Sequence, residues 1–189
     1  LVDKRGRLLG LPWMYRDDRT EGMIEAATKI LPREDLYART GIQFMPFNTI
    51  FQLLAEKARS PEALAAADQI LFMPDLLTYG LSGERIIERT IASTGQLLQP
   101  GSADWDHNII EKMGLPAGIF RPTAEPGVVV GPVRAEIGCG PLQVTTCGSH
   151  DTASAVMQWA RTIGVPPAVR VRLKRDGEGK PFGIAVPSD

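Results

Sequence analysis

Apolar side chains recur every three or four positions at Met23, Ile24, Ala27, Ile30 and Leu31, and again at Ile50, Phe51, Leu54 and Ala58. That period predicts amphipathic helices over residues 21–30 and 47–59. Thr20 is the candidate cap of the first, and Pro32 stops it. A short helical turn over 33–39 breaks at Thr40-Gly41. Ser60-Pro61-Glu62 then restarts a helix to about residue 67, since proline is tolerated at a first helical position. Further helices are expected from Pro74-Asp75 to Leu81-Ser82-Gly83, over 105–114 with Asp104 as cap and Gly114 as stop, and from Asp151 to about residue 159.

Apolar runs without helical spacing mark strands. Residues 1–15 hold two of them around a Lys4-Arg5-Gly6 turn, the punctuation of a hairpin. Residues 69–73, 128–130 and 142–147 read as short strands, and 93–98 as extended chain or turn. Strands and helices alternate, which argues for a layered α/β domain. From residue 161 the period fails. Pro166-Pro167 and scattered charge lead us to expect poor order in 161–189. The chain opens on Leu1 in a strand-like run, as a chain beginning inside a domain would. The abrupt loss of pattern near Met157 is what a truncation or a shifted reading frame would produce.

Composition narrows the function classes. With 43% hydrophobic and 23% charged residues, a chain of 189 residues matches one ordinary globular domain better than two. A net charge of −1 supplies no field that would draw it to nucleic acid or to an anionic membrane. The basic stretch 170–175 runs straight into Asp176 and Glu178 with no interleaved aromatic residue, and reads as a solvated tail. No apolar run approaches the roughly 20 residues of a membrane span. No membrane or nucleic-acid partner is therefore expected, and the expected location is cytoplasmic. Cys139 and Cys147 lack metal or redox spacing and read as small core residues.

The densest chemistry lies at TTCGSHDTASAV, residues 145–156, where a β run gives way to a small-residue helix beginning at Asp151. Ligands of open α/β sheets collect at such carboxyl ends of strands, facing the free amides of a helix N-terminus. His150 and Asp151 would stand there. The plainer alternative makes Asp151 or Ser149 a helix cap and His150 a surface loop residue. Adjacent Ser149, His150 and Asp151 cannot form a hydrolytic triad, because neighbouring side chains diverge. No second cluster accompanies Cys147, His150 and Asp151 to complete a metal site.

Four ordered blocks carry a resemblance: GLPWMYRDDRT at 10–20, LYARTGIQFMPFNTIFQLLA at 36–55, MPDLLTYGLSG at 73–83 and GSHDTASAV at 148–156. In this order and spacing they resemble the rhamnulokinase group of the FGGY family of carbohydrate kinases. The resemblance covers residues 1–156 and leaves 157–189 unmatched. It implies an α/β chain of the ribonuclease H-like, actin-like ATPase fold, here an incomplete N-terminal sugar-binding lobe. It also implies ATP-dependent phosphorylation of a ketose, L-rhamnulose, at its 1-hydroxyl.

By position in the motifs, Asp151 would be the catalytic base, with His150 and Thr152 beside it against the sugar. Arg19 would lie near the sugar cleft or, equally, in an ion pair. Gln43, Phe44, Phe47 and Asn48 would line the pocket, though core packing competes for the two phenylalanines. Asp75 reads as a helix cap. An aspartate at a helix N-terminus is favoured as an anion and can orient a hydroxyl, which suffices where positioning outweighs base strength. The family's cofactors are ATP and Mg²⁺, yet no cofactor or metal site is assigned within these residues. Ile91 and Gly95 depart from the family's Asn- and Thr-rich run. The isolated chain is accordingly expected to be inactive as a kinase, and a sugar-binding module without catalysis is the alternative. The sequence sets no oligomeric state.

Overall fold

The computed structural model describes residues 1–102, 104–162, 172–175 and 181–185. They divide into two compact units, Leu1–His150 and Asp151–Asp189.

The first unit is built around helix α3 (Thr49–Arg59), whose Ile50, Phe51, Leu53, Leu54 and Ala55 are all buried. All but Ala55 join one continuous apolar cluster with Ala27, Leu36, Leu64, Ile87, Leu97, Ile109 and Met113. The partners come from α1 (Met23–Ile30), α2 (Arg33–Thr40), α4 (Pro61–Ala66) and α7 (His107–Lys112), together with the loops between them. Burial of so much aliphatic and aromatic surface, at about 25 cal/mol per Å², is the main term holding this unit together. Two more helices, α5 (Met73–Ser82) and α6 (Arg89–Ala92), complete it. A two-stranded antiparallel ladder of β1 (Val129–Pro132) with β2 (Gln143–Thr145) pairs Gly131 with Val144.

Several boundaries differ from the sequence expectation, each for a local reason. Thr20 caps nothing: it ends a 3-10 turn, Asp18–Thr20, and is buried, while Gly22 at φ +75° starts α1. Asp106, not Asp104, caps α7, accepting the Ile109 amide at 3.0 Å. Residues 69–73 form no strand, since only Gln69 bridges to Val2 and Phe72 already precedes α5. The expected hairpin at the start is a tight turn, Val2 bridging Leu8, held by the Asp3 carboxylate on the amides of Arg5 and Arg7. Gly6 turns it at φ +77°, where a side chain would also collide with the Tyr79 hydroxyl that donates to the Gly6 carbonyl. Both cysteines are exposed rather than core. Alternation after β2 buries Val144 and Thr146, so Cys147 faces outward.

In the second unit helix α8 (Asp151–Thr162) runs a few residues past the expected end. Strands β3 (Arg172–Arg175) and β4 (Pro181–Ala185) pair antiparallel, Lys174 opposite Gly183. The segment read as irregular thus contains a short ladder, and the rest of the expectation for 161–189 lies outside the described residues. Among the described residues no helix is long and apolar enough to cross a membrane.

Asp106 joins local capping to long-range packing. Its side chain is 3% exposed and takes a bidentate contact from Arg39, with Nε and Nη2 at 2.9 and 3.0 Å. Burial alone would raise its pKa, but the Arg39 guanidinium and the Ile109 amide hold it below the ordinary value. Asp106→Ala removes the cap and leaves Arg39 unpaired. It should lower unfolding free energy by about 2–4 kcal/mol in a denaturant titration, with Arg39→Met costing at least as much near neutral pH because it leaves the buried Asp106 carboxylate without its counter-charge.

Candidate functional site

Residues 84–92 carry a polar crossing that the apolar pattern does not show. Glu88 is 2% exposed and precedes the four-residue helix α6. Its Oε1 accepts the Thr90 amide at 2.8 Å, and its Oε2 accepts the Ile91 amide at 3.2 Å. The same Oε2 takes the Ser149 amide at 3.1 Å and the hydroxyls of Thr90 and Ser149. The His150 amide in turn donates to the Thr90 hydroxyl oxygen at 3.2 Å. Burial alone would raise the Glu88 pKa, but these donors, the Ser149 and Thr90 hydroxyls foremost, hold it below the ordinary value.

Asp75 lies against this crossing. It is 1% exposed, and its two oxygens accept the Glu88 amide at 3.0 Å and the Phe72 amide at 3.3 Å. The second bond is the capping role expected of it, made from the first turn of α5. Burial pushes its pKa up to about 7, against the pull of both amides and with a further push from the Glu88 charge.

The candidate sugar contacts separate into distinct settings. Gln43 and Phe44 share a concavity of about 590 Å³ with Arg33, Glu34 and Tyr37, where the Arg33 guanidinium lies 4.3 Å from the centre of the Phe44 ring. Arg19 and Asn48 do not line it. Asn48 is buried, and its amide nitrogen donates to the Gln43 carbonyl at 2.7 Å and to Gln96 Oε1 at 3.1 Å. Gln96 is fully buried at φ +62° and donates to the Ile42 carbonyl at 2.9 Å. Asn48 and Gln96 therefore brace the 42–48 loop from beneath.

Arg19 is caged. Its guanidinium donates to the Gln52 carbonyl and to Gln52 Oε1 at 3.2 and 2.8 Å, and pairs with Asp17 at 3.4 Å and Glu56 at 3.7 Å. Burial draws its pKa down, and the two carboxylates oppose that. Of the two readings offered by the sequence, this geometry is the ion pair. Phe47 is half exposed and packs edge-on against Tyr15, ring centres 5.6 Å apart.

Ser149 and His150 are half-buried at the end of the first unit. Asp151 and Thr152 open α8 in the second, both exposed, and Asp151 Oδ1 accepts the Thr152 amide at 2.7 Å. Among the described residues, no group of three or more His, Cys, Asp or Glu gathers as a metal site would require. The described carboxylates thus offer no such cluster for Mg²⁺. Sequence reasoning missed Glu88 and Gln96. Glutamate is not a favoured N-cap, and a left-handed glutamine has no local signature, so neither announces itself.

Comparison with known proteins follows the same residues. A family model described as the FGGY family of carbohydrate kinases, N-terminal domain, matches residues 1–157. A rhamnulokinase from Pectobacterium atrosepticum is 42% identical over 157 residues, covering 83% of this chain and 32% of that protein. One from Enterococcus faecalis is 41% identical over 161 residues with the same coverage. The chain thus spans about a third of the length of these relatives. Among solved structures, a ligand-bound xylulose kinase from Lactobacillus acidophilus superposes with a TM-score of 0.74 at 18% identity, covering 84% of this chain and 34% of that one. A xylulose kinase from Rhodospirillum rubrum gives 0.73 at 23% identity with the same coverage. At such identities the likeness is one of fold.

Asp75 makes a prediction about pH. Its folded pKa of about 7 exceeds its ordinary 3.8, so the folded state holds the proton more tightly. The stabilisation from this group is complete below the ordinary value and lost as pH rises toward the folded one, at up to about 1.4 kcal/mol per pH unit. Relative to Asp75→Asn, which does not titrate there, the unaltered chain should lose unfolding free energy between about pH 4 and 7. Paired denaturant titrations across that window measure it, and parallel curves would contradict it.

Proposed function

The chain belongs to the FGGY family of carbohydrate kinases, and from that premise we propose that it forms the sugar-binding portion of a rhamnulokinase-like enzyme acting on L-rhamnulose at the 1-hydroxyl. Its α/β fold corresponds to the N-terminal part of the actin-like fold of that family. The single observation behind the substrate is the 41–42% identity to rhamnulokinases over 157 and 161 residues, and the family match over residues 1–157 takes in all four motif blocks. Residues 1–156 are taken as the kinase-related part and 157–189 as a separate segment. ATP with Mg²⁺ is the phosphoryl donor this reading calls for, and the elements that would hold it are not found among the described residues.

In this reading the exposed Asp151 carboxylate accepts a hydrogen bond from the sugar 1-hydroxyl and receives its proton as that oxygen becomes the nucleophile. His150 and Thr152, its neighbours in the chain, are the residues that the family motif sets against the sugar. Gln43 and Phe44 offer one apolar face and one amide, the combination a sugar surface needs. Arg19 and Asn48 support the sugar side from within the fold. Asp151 needs no raised basicity, because a loose phosphoryl-transfer transition state rewards placement of the nucleophile.

The test uses the 189-residue chain itself. With ATP, Mg²⁺ and L-rhamnulose it should give no turnover above background in a coupled assay. Calorimetry should show L-rhamnulose binding that Asp151→Asn weakens about tenfold, as loss of a charged hydrogen bond does. Robust turnover abolished by Asp151→Asn would overturn the view that these residues are insufficient. Absence of any ketose binding would remove the sugar site.

A further inference from the structure

Capping a four-residue helix does not account for Glu88. The Thr90 and Ile91 amides need one short acceptor, and serine, threonine, aspartate and asparagine all serve better than glutamate. The longer side chain instead reaches a segment some sixty positions away, where Ser149 gives it both its amide and its hydroxyl. Among the described residues Glu88 forms no salt bridge, so neutral donors alone disperse its charge in a buried position. Such an arrangement tolerates little displacement of any donor, because each lost bond leaves charge uncompensated.

The bonds also have a direction. The Thr90 hydroxyl has one proton and gives it to Glu88, which leaves its lone pairs turned toward the His150 amide. Were that proton to point elsewhere, the oxygen would no longer present an acceptor in the same place. The carboxylate thereby sets the orientation of the Thr90 hydroxyl, and the hydroxyl holds His150. Ser149 ties the preceding residue to the same oxygen, so the turn is gripped at two successive amides.

We infer that Glu88 is a positioning residue for the sugar side of the site, fixing the Ser149-His150 turn through the hydroxyls of Thr90 and Ser149. This rests on the reading of His150 as a sugar contact. Glu88 itself touches no reacting atom. Its amide counterpart has the same shape, but its NH₂ group must face either the Thr90 amide or the two hydroxyls, so at least one donor meets a donor where it had an acceptor.

Four variants of the full chain test it: Glu88→Gln, Ser149→Ala, Thr90→Val and Thr90→Ser. Amide hydrogen exchange at His150 is compared with that at Ile109 in α7, and L-rhamnulose affinity is measured by calorimetry. The His150 amide bonds to Thr90 and not to Glu88, so its response to Glu88→Gln reads transmission through the hydroxyl. Glu88→Gln and Thr90→Val should each speed exchange at His150 about tenfold beyond any change at Ile109 and weaken sugar binding about tenfold, while Thr90→Ser stays near the unaltered chain. Should Glu88→Gln fail to fold, Thr90→Val against Thr90→Ser still reads transmission through the hydroxyl, and Ser149→Ala reads the other arm of the grip. Exchange at His150 that moves only in step with Ile109, or equal losses for Thr90→Ser and Thr90→Val, would overturn the inference. Faster exchange with unchanged affinity would confine Glu88 to the fold and overturn its assignment to the sugar. Failure of the unaltered chain to bind the ketose would sink the functional reading, and the exchange measurements, which need no sugar, would still separate the two.

Discussion

A carboxylate can stay charged inside a protein only if enough donors converge on it, and the meeting of chain segments at Glu88 follows from that requirement. Its own amide goes to Asp75 in α5, the next amide goes to the Ala124 carbonyl, and Ala124 returns a bond to Ile87. Its side chain collects the start of α6 and the Ser149 turn. Segments distant in sequence are thus pinned by polar contacts at one point, beside an apolar core that by itself is indifferent to small slides. Apolar burial supplies most of the stability, and this crossing supplies the register.

The two buried acids there behave oppositely for reasons the geometry makes plain. Glu88 meets two hydroxyls and three amides, whereas Asp75 meets only two amides and lies beside the Glu88 charge. Burial and like charge lift Asp75, while the dense donor set keeps Glu88 ionised. At Asp106 the alternative solution appears: a partly exposed Arg39 neutralises the buried carboxylate directly.

Helices α1 and α3 were legible because each shows a periodic apolar face, Met23, Ile24, Ala27 in one and Ile50, Phe51, Leu54 in the other, whereas the four-residue α6 has none and was not expected. Capping was less so. Asp104 and Asp106 are equally good caps on composition, and what chooses Asp106 is Arg39, brought from 67 positions away. The same limit applies at the site. The block around His150 and Asp151 stood out through local composition and its resemblance to known kinases. Glu88 sits in a stretch with no periodicity, and its role exists only because Ser149 folds back onto it. Arg19 was ambiguous for a related reason: an Asp-x-Arg corner suits a cleft and an ion pair alike, and the deciding partners, Gln52 and Glu56, lie a helix away.

The exposed aromatic residues illustrate how polar groups can complete what an apolar core leaves open. Trp13 and Tyr15 are more than 40% exposed, in a stretch that also leaves Leu11 and Met14 in solvent. Yet Trp13 has the guanidiniums of Arg19 and Arg59 at 5.1 and 4.4 Å from its ring centre, and Tyr15 has that of Arg16 at 5.1 Å. A cation over a ring face is drawn to the negative face of the ring, so each guanidinium covers aromatic surface that the apolar core leaves open. Arg19 does this while its nitrogens are engaged with Gln52, Asp17 and Glu56. Its charge therefore cannot be exchanged for lysine without loss, since a single ammonium cannot stack on Trp13 and bridge three polar groups at once. The corner that the sequence left open between a cleft and an ion pair is, in the structure, a bracket between an exposed aromatic strip and the central helix, where residues 10–20 meet α3.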